Sequence, residues 1–402
     1  MDRKLLILIV LAAGVQWSMG QEFKIFDRTV QVHGFASQGI AYTNENNWLT
    51  MKTSEGSYSF TDFGANISMP ITDKLRIGAQ VYDRNLGNLG NWHPSLDWAV
   101  ADYRFTHWLG IRGGKVKTVM GLYNDTQDLD FLHTFALLPQ SVYPTDLREC
   151  TIAHEGGDVY GTIDLGKKYG AISYTAYAGE REDSKYGGYP YLLSGPIAWI
   201  DFTGYGGLQY GADLRWATPL KSLLVGISRM NEEIDGYGTT TAFGPMLPYH
   251  ERSKSDWTNQ YYGQFTRNKL QLDAEYRRYW RDQVVYNGLW SVQTDVRGWY
   301  VAGSYRLTKW LQVGSYYSRH SVLAPAFLIG QYLVPARSGH EYDKVISARF
   351  DLNRFVNVKI EGHLIDGTGL PGYYPDGFYA RDNPQGLKAA TNALVVKTGF
   401  DF

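Results

Sequence analysis

Asn392-Ala393-Leu394-Val395-Val396-Lys397-Thr398-Gly399-Phe400-Asp401-Phe402 closes the chain. Leu394, Val396, Thr398, Phe400 and Phe402 share one face of an extended strand. Lys397 and Asp401 share the other with Val395 and Gly399, the two-residue period of a pleated backbone. A stretch of this length matches a tilted strand crossing a bilayer, about nine to eleven residues. One such strand also suits the edge of a soluble sheet, so the rest of the chain has to decide between them.

The period recurs upstream. Leu270, Leu272, Ala274 and Tyr276 alternate with Gln271, Asp273 and Glu275. Val356, Val358, Ile360, Gly362 and Leu364 alternate with Asn357, Lys359, Glu361 and His363, and Leu208 to Trp216, Ile346 to Leu352 and Trp299 to Leu307 behave in the same way. Between the strands the connections run short, long, short. The short ones are 70–74, 106–110, 166–170, 218–222, 267–269, 307–310 and 352–355, rich in Pro, Gly, Asn, Asp and Thr as tight turns are. The long ones are 43–56, 86–95, 121–149, 180–206, 231–256, 281–291, 320–342 and 367–390. Seven short and eight long connections join about sixteen strands, an even number with both ends on the short-turn side. A soluble sandwich of so many strands needs Greek-key crossings, which strict alternation of turn lengths disfavours. The sequence predicts an all-β, transmembrane, antiparallel up-and-down β-barrel.

Composition agrees. The 402 residues carry a net charge of -1, which argues against a nucleic-acid surface. Aromatics reach 15%, with 31 Tyr and 12 Trp, and they cluster where strands end. Trp108, Trp216, Trp310, Phe355 and Phe402 mark the turn end; Tyr42, Trp257, Trp280, Trp299 and Tyr317 mark the loop end, as two interfacial girdles require. A mean hydropathy of -0.32 fits strands of which half face water. Arg3 and Lys4, the apolar run Leu5 to Val15 and Ser18-Met19-Gly20 read as a signal peptide over 1–20, leaving one barrel domain over 21–402. The single cysteine, Cys150, excludes a disulfide framework.

Gly114-Lys115-Val116-Lys117 running into Gly121-Leu122-Tyr123-Asn124, ahead of a long third loop, resembles the trimeric, sixteen-stranded porins of Gram-negative outer membranes, the phosphate- and dicarboxylate-selective type in particular. The architecture from about Thr29 to Phe402 is similar to theirs. The resemblance implies a homotrimer in the cell outer membrane after Sec-type export, in contact with lipid and lipopolysaccharide. It implies a passive channel for small hydrophilic solutes, no cofactor, and a terminal Phe402 read by the barrel-insertion machinery. It also implies a third loop folded into the barrel. The apolar residues Leu129, Phe131, Leu132, Phe135, Leu137 and Leu138, interleaved with Asp125, Asp128 and Asp130, suit a buried loop better than an exposed one. Asp125 to Asp128 is expected to cap a short helix, with Leu129, Leu132 and His133 on the wall and Pro139 and Pro144 ending it.

Fixed charges at a constriction select solutes by sign. The candidate lining is Arg104, Arg112, Lys115, Lys117, Asp125, Asp128, Asp130 and Arg215, with Arg277, Arg306, Arg349, Lys359 and Lys397 as further bases and Asp102, Asp158, Asp213, Asp273, Glu275, Asp351 and Glu361 as further acids. Salt bridges within the wall are the alternative role for each, most of all for Asp102 with Arg104 and Asp213 with Arg215. Arg112, Lys115 and Lys117 have few acids nearby in sequence and are expected to form the functional cluster, with an anion preference. A break in alternation at Arg112-Gly113-Gly114-Lys115 suggests a bulge. No histidine pair at metal-binding spacing and no nucleophile elbow is present. The rival function is a barrel enzyme or a surface adhesin with an occluded lumen.

Overall fold

The computed structural model describes residues 21–25, 28–194, 199–253, 255–323, 328–329, 332–333, 339–369 and 381–402; the signal peptide read over 1–20 lies outside them. Sixteen strands form a ring: β1 (Arg28–Thr43), β2 (Ser57–Pro70), β3 (Leu75–Leu86), β4 (Ser95–Thr106), β5 (Leu109–Lys117), β6 (Ala153–Asp164), β7 (Ala171–Glu182), β8 (Ile200–Ala217), β9 (Leu223–Thr240), β10 (Asp256–Arg267), β11 (Leu270–Val285), β12 (Trp290–Arg306), β13 (Leu311–Val322), β14 (His340–Asp351), β15 (Val356–Gly367) and β16 (Ala390–Asp401). Each pairs antiparallel with the next. β16 returns to β1 from Phe35 opposite Asp401 to Thr43 opposite Ala393, so the sheet has no free edge. Gln21–Ile25 adds a short strand to the foot of β1, and Leu247–Ser253 extends the tip of β9.

All seven tight turns fall where the turn chemistry placed them. The long connections were drawn too wide on one side of the ring. β8 and β9 have 18 residues each, β12 has 17 and β11 has 16, against the roughly nine to eleven that cross a bilayer. The β8–β9 ladder continues from Glu232 opposite Gln209 up to Thr240 opposite Ile200. The added rungs bury Ile234, Tyr205 and Phe202 in an apolar cluster with α1 (Gly188–Leu193), which a flexible loop could not do.

Burial runs opposite to that of a water-soluble protein. Ile346 is 75% exposed, and Leu364, Val301 and Leu394 are also open, on the outer face of the ring. On the inner face Lys359, Glu361 and Asn357 have no exposed surface, and Glu275 and Asp213 are almost as enclosed. In the closing strand Val395 and Lys397 are buried while Leu394 and Thr398 are exposed. Charged groups face inward because the outward side must meet hydrocarbon, where a charge costs about 2–4 kcal/mol at mid-depth. Trp108, Trp216, Trp310 and Tyr42 are exposed at the strand ends assigned to girdles.

One buried apolar cluster sits at the loop end. Trp48, Leu49 and Met51 meet Leu89, Ala136, Leu137, Tyr189, Leu192, Leu193 and Leu387, so five long connections share a core.

Candidate functional site: inward charges and the 118–152 segment

Residues 118–152 join β5 to β6 and contain little regular structure: short 3-10 turns at Asn124–Thr126, Asp130–Leu132 and Thr145–Cys150. The expected α-helix after Asp125 does not form, and the residues preceding these turns make no side-chain capping bond. Leu132 is exposed rather than packed on the wall, while His133 is buried and donates from Nε2 to the Thr126 carbonyl (2.9 Å). A buried segment without ladders must find other partners for its peptide groups, and it takes them from charged side chains of the ring. Lys359 Nζ donates to the carbonyls of Asp130 (2.6 Å) and Phe135 (3.0 Å). Arg349 donates to those of Phe131 and His133. Glu361 accepts the N–H groups of Ala136 (2.9 Å) and Leu137 (3.3 Å). Farther round, Arg277 donates to Val142 O, Arg84 to Thr145 O and Arg215 to Gly121 O. Glu275 accepts from the hydroxyls of Tyr143 and Tyr300 and from the Leu122 N–H. The anchors therefore come from β3, β8, β11, β14 and β15.

Asp125, Asp128 and Asp130 each meet bases. Asp130 lies 3.1 Å from both Lys359 and Lys397, which face one another on β15 and β16. Burial opposes its charge, but the two ammonium groups hold its carboxyl below the usual range. Asp128 accepts from Lys117 (2.7 Å) and from Gln80, with Arg148 at 3.7 Å; it too is held low against the penalty of burial. Asp125 is 3.9 Å from Arg215, whose Nε donates to Asp213. Burial pushes His133 down to about 4, so it is neutral at pH 7.

The expected cluster of Arg112, Lys115 and Lys117 does not lack acids. Arg112 makes a two-pronged bridge to Asp158, Lys115 is 3.6 Å from Glu155, and Lys117 holds Asp128 with Asp97 at 3.8 Å. Those acids come from β6, β4 and the segment, and no short-range spacing announces them. Gly114 has φ +123°, and the β4–β5 register shifts further down the pair, between Arg104 and Thr106. Arg104 is exposed near the turn end, with its guanidinium 5.7 Å above the Tyr160 ring. The Asp213–Arg215 bridge expected on one face is present, whereas Asp102 accepts instead from Tyr160 (2.5 Å).

Two cavities flank the segment. One is lined by Ser141, Cys150, Arg181, Glu232, Arg277 and His320; the other by Asp62, Arg84, Asp128, Asp130, Arg148 and Lys397. Arg148, Arg181, Asp97, Glu232 and His320 were not singled out from sequence. Arg181 and Glu232 obey the alternation of β7 and β9 and were legible in principle; Arg148 sits in irregular chain and was not. Cys150 is half-buried with Sγ 3.4 Å from Asp183, and burial raises its thiol pKa, so it is no nucleophile. His154 is fully buried against Tyr177 and contacts Thr118, and its neighbour Glu155 is exposed, which leaves no catalytic pair there.

No protein-family model and no curated protein matches the chain. Solved structures do. The outer-membrane expressed OmpT of Vibrio cholerae matches with a TM-score of 0.60 at 11% identity, over 95% of this chain and 100% of that one. The outer membrane channel DcaP of Acinetobacter baumannii matches at 0.55 and 11%, over 94% and 99%. An anion-selective porin from Comamonas acidovorans matches at 0.55 and 10%, over 93% and 100%. At such identities the likeness is one of fold, and the chain is a closed sixteen-stranded barrel of the porin type.

Proposed function

We propose that the protein is an outer-membrane channel for small hydrophilic solutes, exported through a signal peptide and assembled as a homotrimer. The observation that carries this reading is the inverted burial of a closed ring: apolar side chains outside, charged side chains inside. The 118–152 segment crosses the lumen, because its peptide groups are bonded to inward side chains on strands from β3 to β15. Solutes pass beside it, through the cavities it borders. Arg277 gives the cavity beside Ser141 and His320 its positive bias: among the described residues no carboxylate pairs with it, whereas Arg181 is paired with Asp183 and Glu232. This supports a preference for anions, weaker than the number of inward bases suggests, since most of them are neutralised by partners.

Planar-bilayer recording of the purified protein tests the reading. Stable, ohmic conductance is expected, with a reversal potential in a salt gradient displaced toward anions; absence of conductance rejects the channel. A second reading is favoured by the apolar core that five long connections share at the loop end: a barrel whose mouth is closed and whose outer loops bind a partner. Liposome swelling separates the two, because a closed barrel admits no solute of any size.

A further inference from the structure

The cavity beside Ser141 and His320 has two ends of opposite charge. Arg277 on β11, Gly298 on β12 and His320 on β13 stand directly opposite one another in one cross-strand row. Arg277 donates to Val142 O (2.8 Å), and among the described residues its buried Nε has no partner. Glu275, the next inward residue of β11, is taken up by the hydroxyls of Tyr143 and Tyr300. His320 is buried, and its Nδ1 has no partner among the described residues either. Between the two, a side chain at Gly298 would collide with the Ser141 carbonyl, so glycine lets the 118–152 segment close against the wall there. A guanidinium and an imidazole, each enclosed with an unused nitrogen, carry a desolvation cost that a bound solute would remove.

The other end lies toward the loops. Arg181 on β7 directs Nε and Nη2 to Asp183 and Nη1 to Glu232 on β9, so two carboxylates share one cation. Arg281, the other base there, is matched by Asp256 (3.5 Å) and by the hydroxyls of Tyr189 and Tyr205. Arg181, Glu232, Arg277 and Arg281 line the same cavity, and the Tyr279 ring lies 5.9 Å from the guanidinium carbons of both Arg277 and Arg281. Two acids on one base hold a surplus negative charge that a second cation would neutralise. Glu232 is opposite Asp256 and Trp257 is opposite Trp280, which puts Glu232 two strands from Arg277 and four residues nearer the loops. Strand spacing and rise place the two backbones about 16 Å apart and the inward charges roughly 10–15 Å apart. A hydrogen bond of about 3 Å at each end leaves roughly 4–9 Å for the solute.

We propose that this cavity binds the zwitterionic form of a short linear peptide, two or three residues long, with its terminal carboxylate on Arg277 and His320 and its terminal ammonium on Glu232. Peptide residues advance by about 3.4 Å each, so two or three fill the span, and a single amino acid does not reach both ends. A solute with one charge or none leaves one end enclosed and unmatched, and a site built for a polar group rejects the analogue that lacks it. A simple anion is drawn to the Arg277 end alone. The inference rests on the lumen being open to small solutes, and it names the class that this cavity holds.

The test is isothermal titration calorimetry of the purified protein in detergent with trialanine, N-acetyl-trialanine, trialanine amide and alanine. Capping either end is expected to weaken binding about ten-fold, because one charge-assisted contact is lost. Alanine is expected to bind as weakly as the capped peptides. R277Q is expected to lose the preference over the amide and to keep the preference over the acetyl form; E232Q should do the reverse. Equal binding of trialanine and both capped forms by the native protein, or loss of both preferences together in R277Q, overturns the site. Alanine bound as tightly as trialanine overturns the two-ended span. If E232Q fails to fold, the acetyl form titrated into the native protein and into R277Q reads the ammonium end by itself. Calorimetry needs no current. A protein that binds trialanine with both preferences but does not conduct keeps the site and fails as a channel, whereas ohmic conductance without the two preferences keeps the channel and overturns the site.

Discussion

β15 and β5 carry similar charges and obey different rules. In β15 the inward side chains Asn357, Lys359, Glu361 and His363 alternate without a break with outward Val358, Ile360, Gly362 and Leu364, and all four are fully enclosed. Every charge there serves a defined contact. Lys359 and Glu361 hold the 118–152 segment by its peptide groups, and His363 lies between Asp343 and Glu361. In β5 the glycines at 110, 113 and 114 interrupt the pattern, and the charges Arg112, Lys115 and Lys117 go to three unrelated acids. A strand with unbroken period delivers its charges to one surface. A strand relaxed by glycine distributes them according to whatever the neighbouring chain offers.

The largest effect is expected where an enclosed charge loses its partners. Lys359→Met removes the donor for two carbonyls and half the neutralisation of Asp130, which is left buried beside Lys397 alone. Breaking such a pair costs about 3–5 kcal/mol. We expect the barrel to survive, because its ladders are untouched, while residues 130–137 detach. Protease cleavage within 130–137 and a larger, noisier single-channel conductance would register this. If Lys359→Met conducts and resists cleavage like the native protein, β15 is not the anchor. In β5 the counterpart is Arg112→Ala, which strands the almost fully enclosed Asp158 carboxylate. The cost expected is about 2–3 kcal/mol, read as a lower denaturation midpoint with little change in conductance.

This contrast also explains what the sequence disclosed. The ring, its sixteen strands, all seven turns and the two aromatic bands were legible because each rests on local pattern: period two, turn residues, strand ends. Lys359, Glu361 and Glu275 were placed inward on the same ground. The pairing of charges was not legible. Arg112 meets an acid 46 residues away and Lys359 a carbonyl 229 residues away. No spacing rule encodes such distances. The short 3-10 turns of the third loop were misread as a helix because its apolar spacing reflects burial between walls rather than one helical face.

An intermediate effect comes from Asp146, inside the segment and away from any strand. Burial raises its carboxyl to about 7, Arg84 opposing weakly and Asp382 adding to the rise. An acid whose folded pKa lies above its unfolded one binds more protons when folded. Its contribution is therefore intact at low pH and is lost as pH rises from about 4 through 7. Asp146→Asn keeps the neutral form at every pH. It is expected to flatten the pH dependence of stability across that window, by up to about 4 kcal/mol at pH 8. Unfolding midpoints at pH 5 and pH 8 measure it; identical slopes in the two proteins would assign the dependence to another group.

The smallest effect decides most about β5. Lys115 was expected to act with Arg112 and Lys117 at the throat, yet its one carboxylate partner among the described residues, Glu155, is well exposed, 3.6 Å away. Water screens such a pair to about 0–1 kcal/mol. Lys115→Gln should leave stability and reversal potential within error, whereas Lys117→Gln, which frees Asp128 from its nearest cation, should shift both. Equal shifts in the two variants would restore the throat cluster and show that glycine had not separated these charges. A silent Lys115 beside a responsive Lys117 means that the inward set is fixed by the acids of the 118–152 segment, not by basic character along β5.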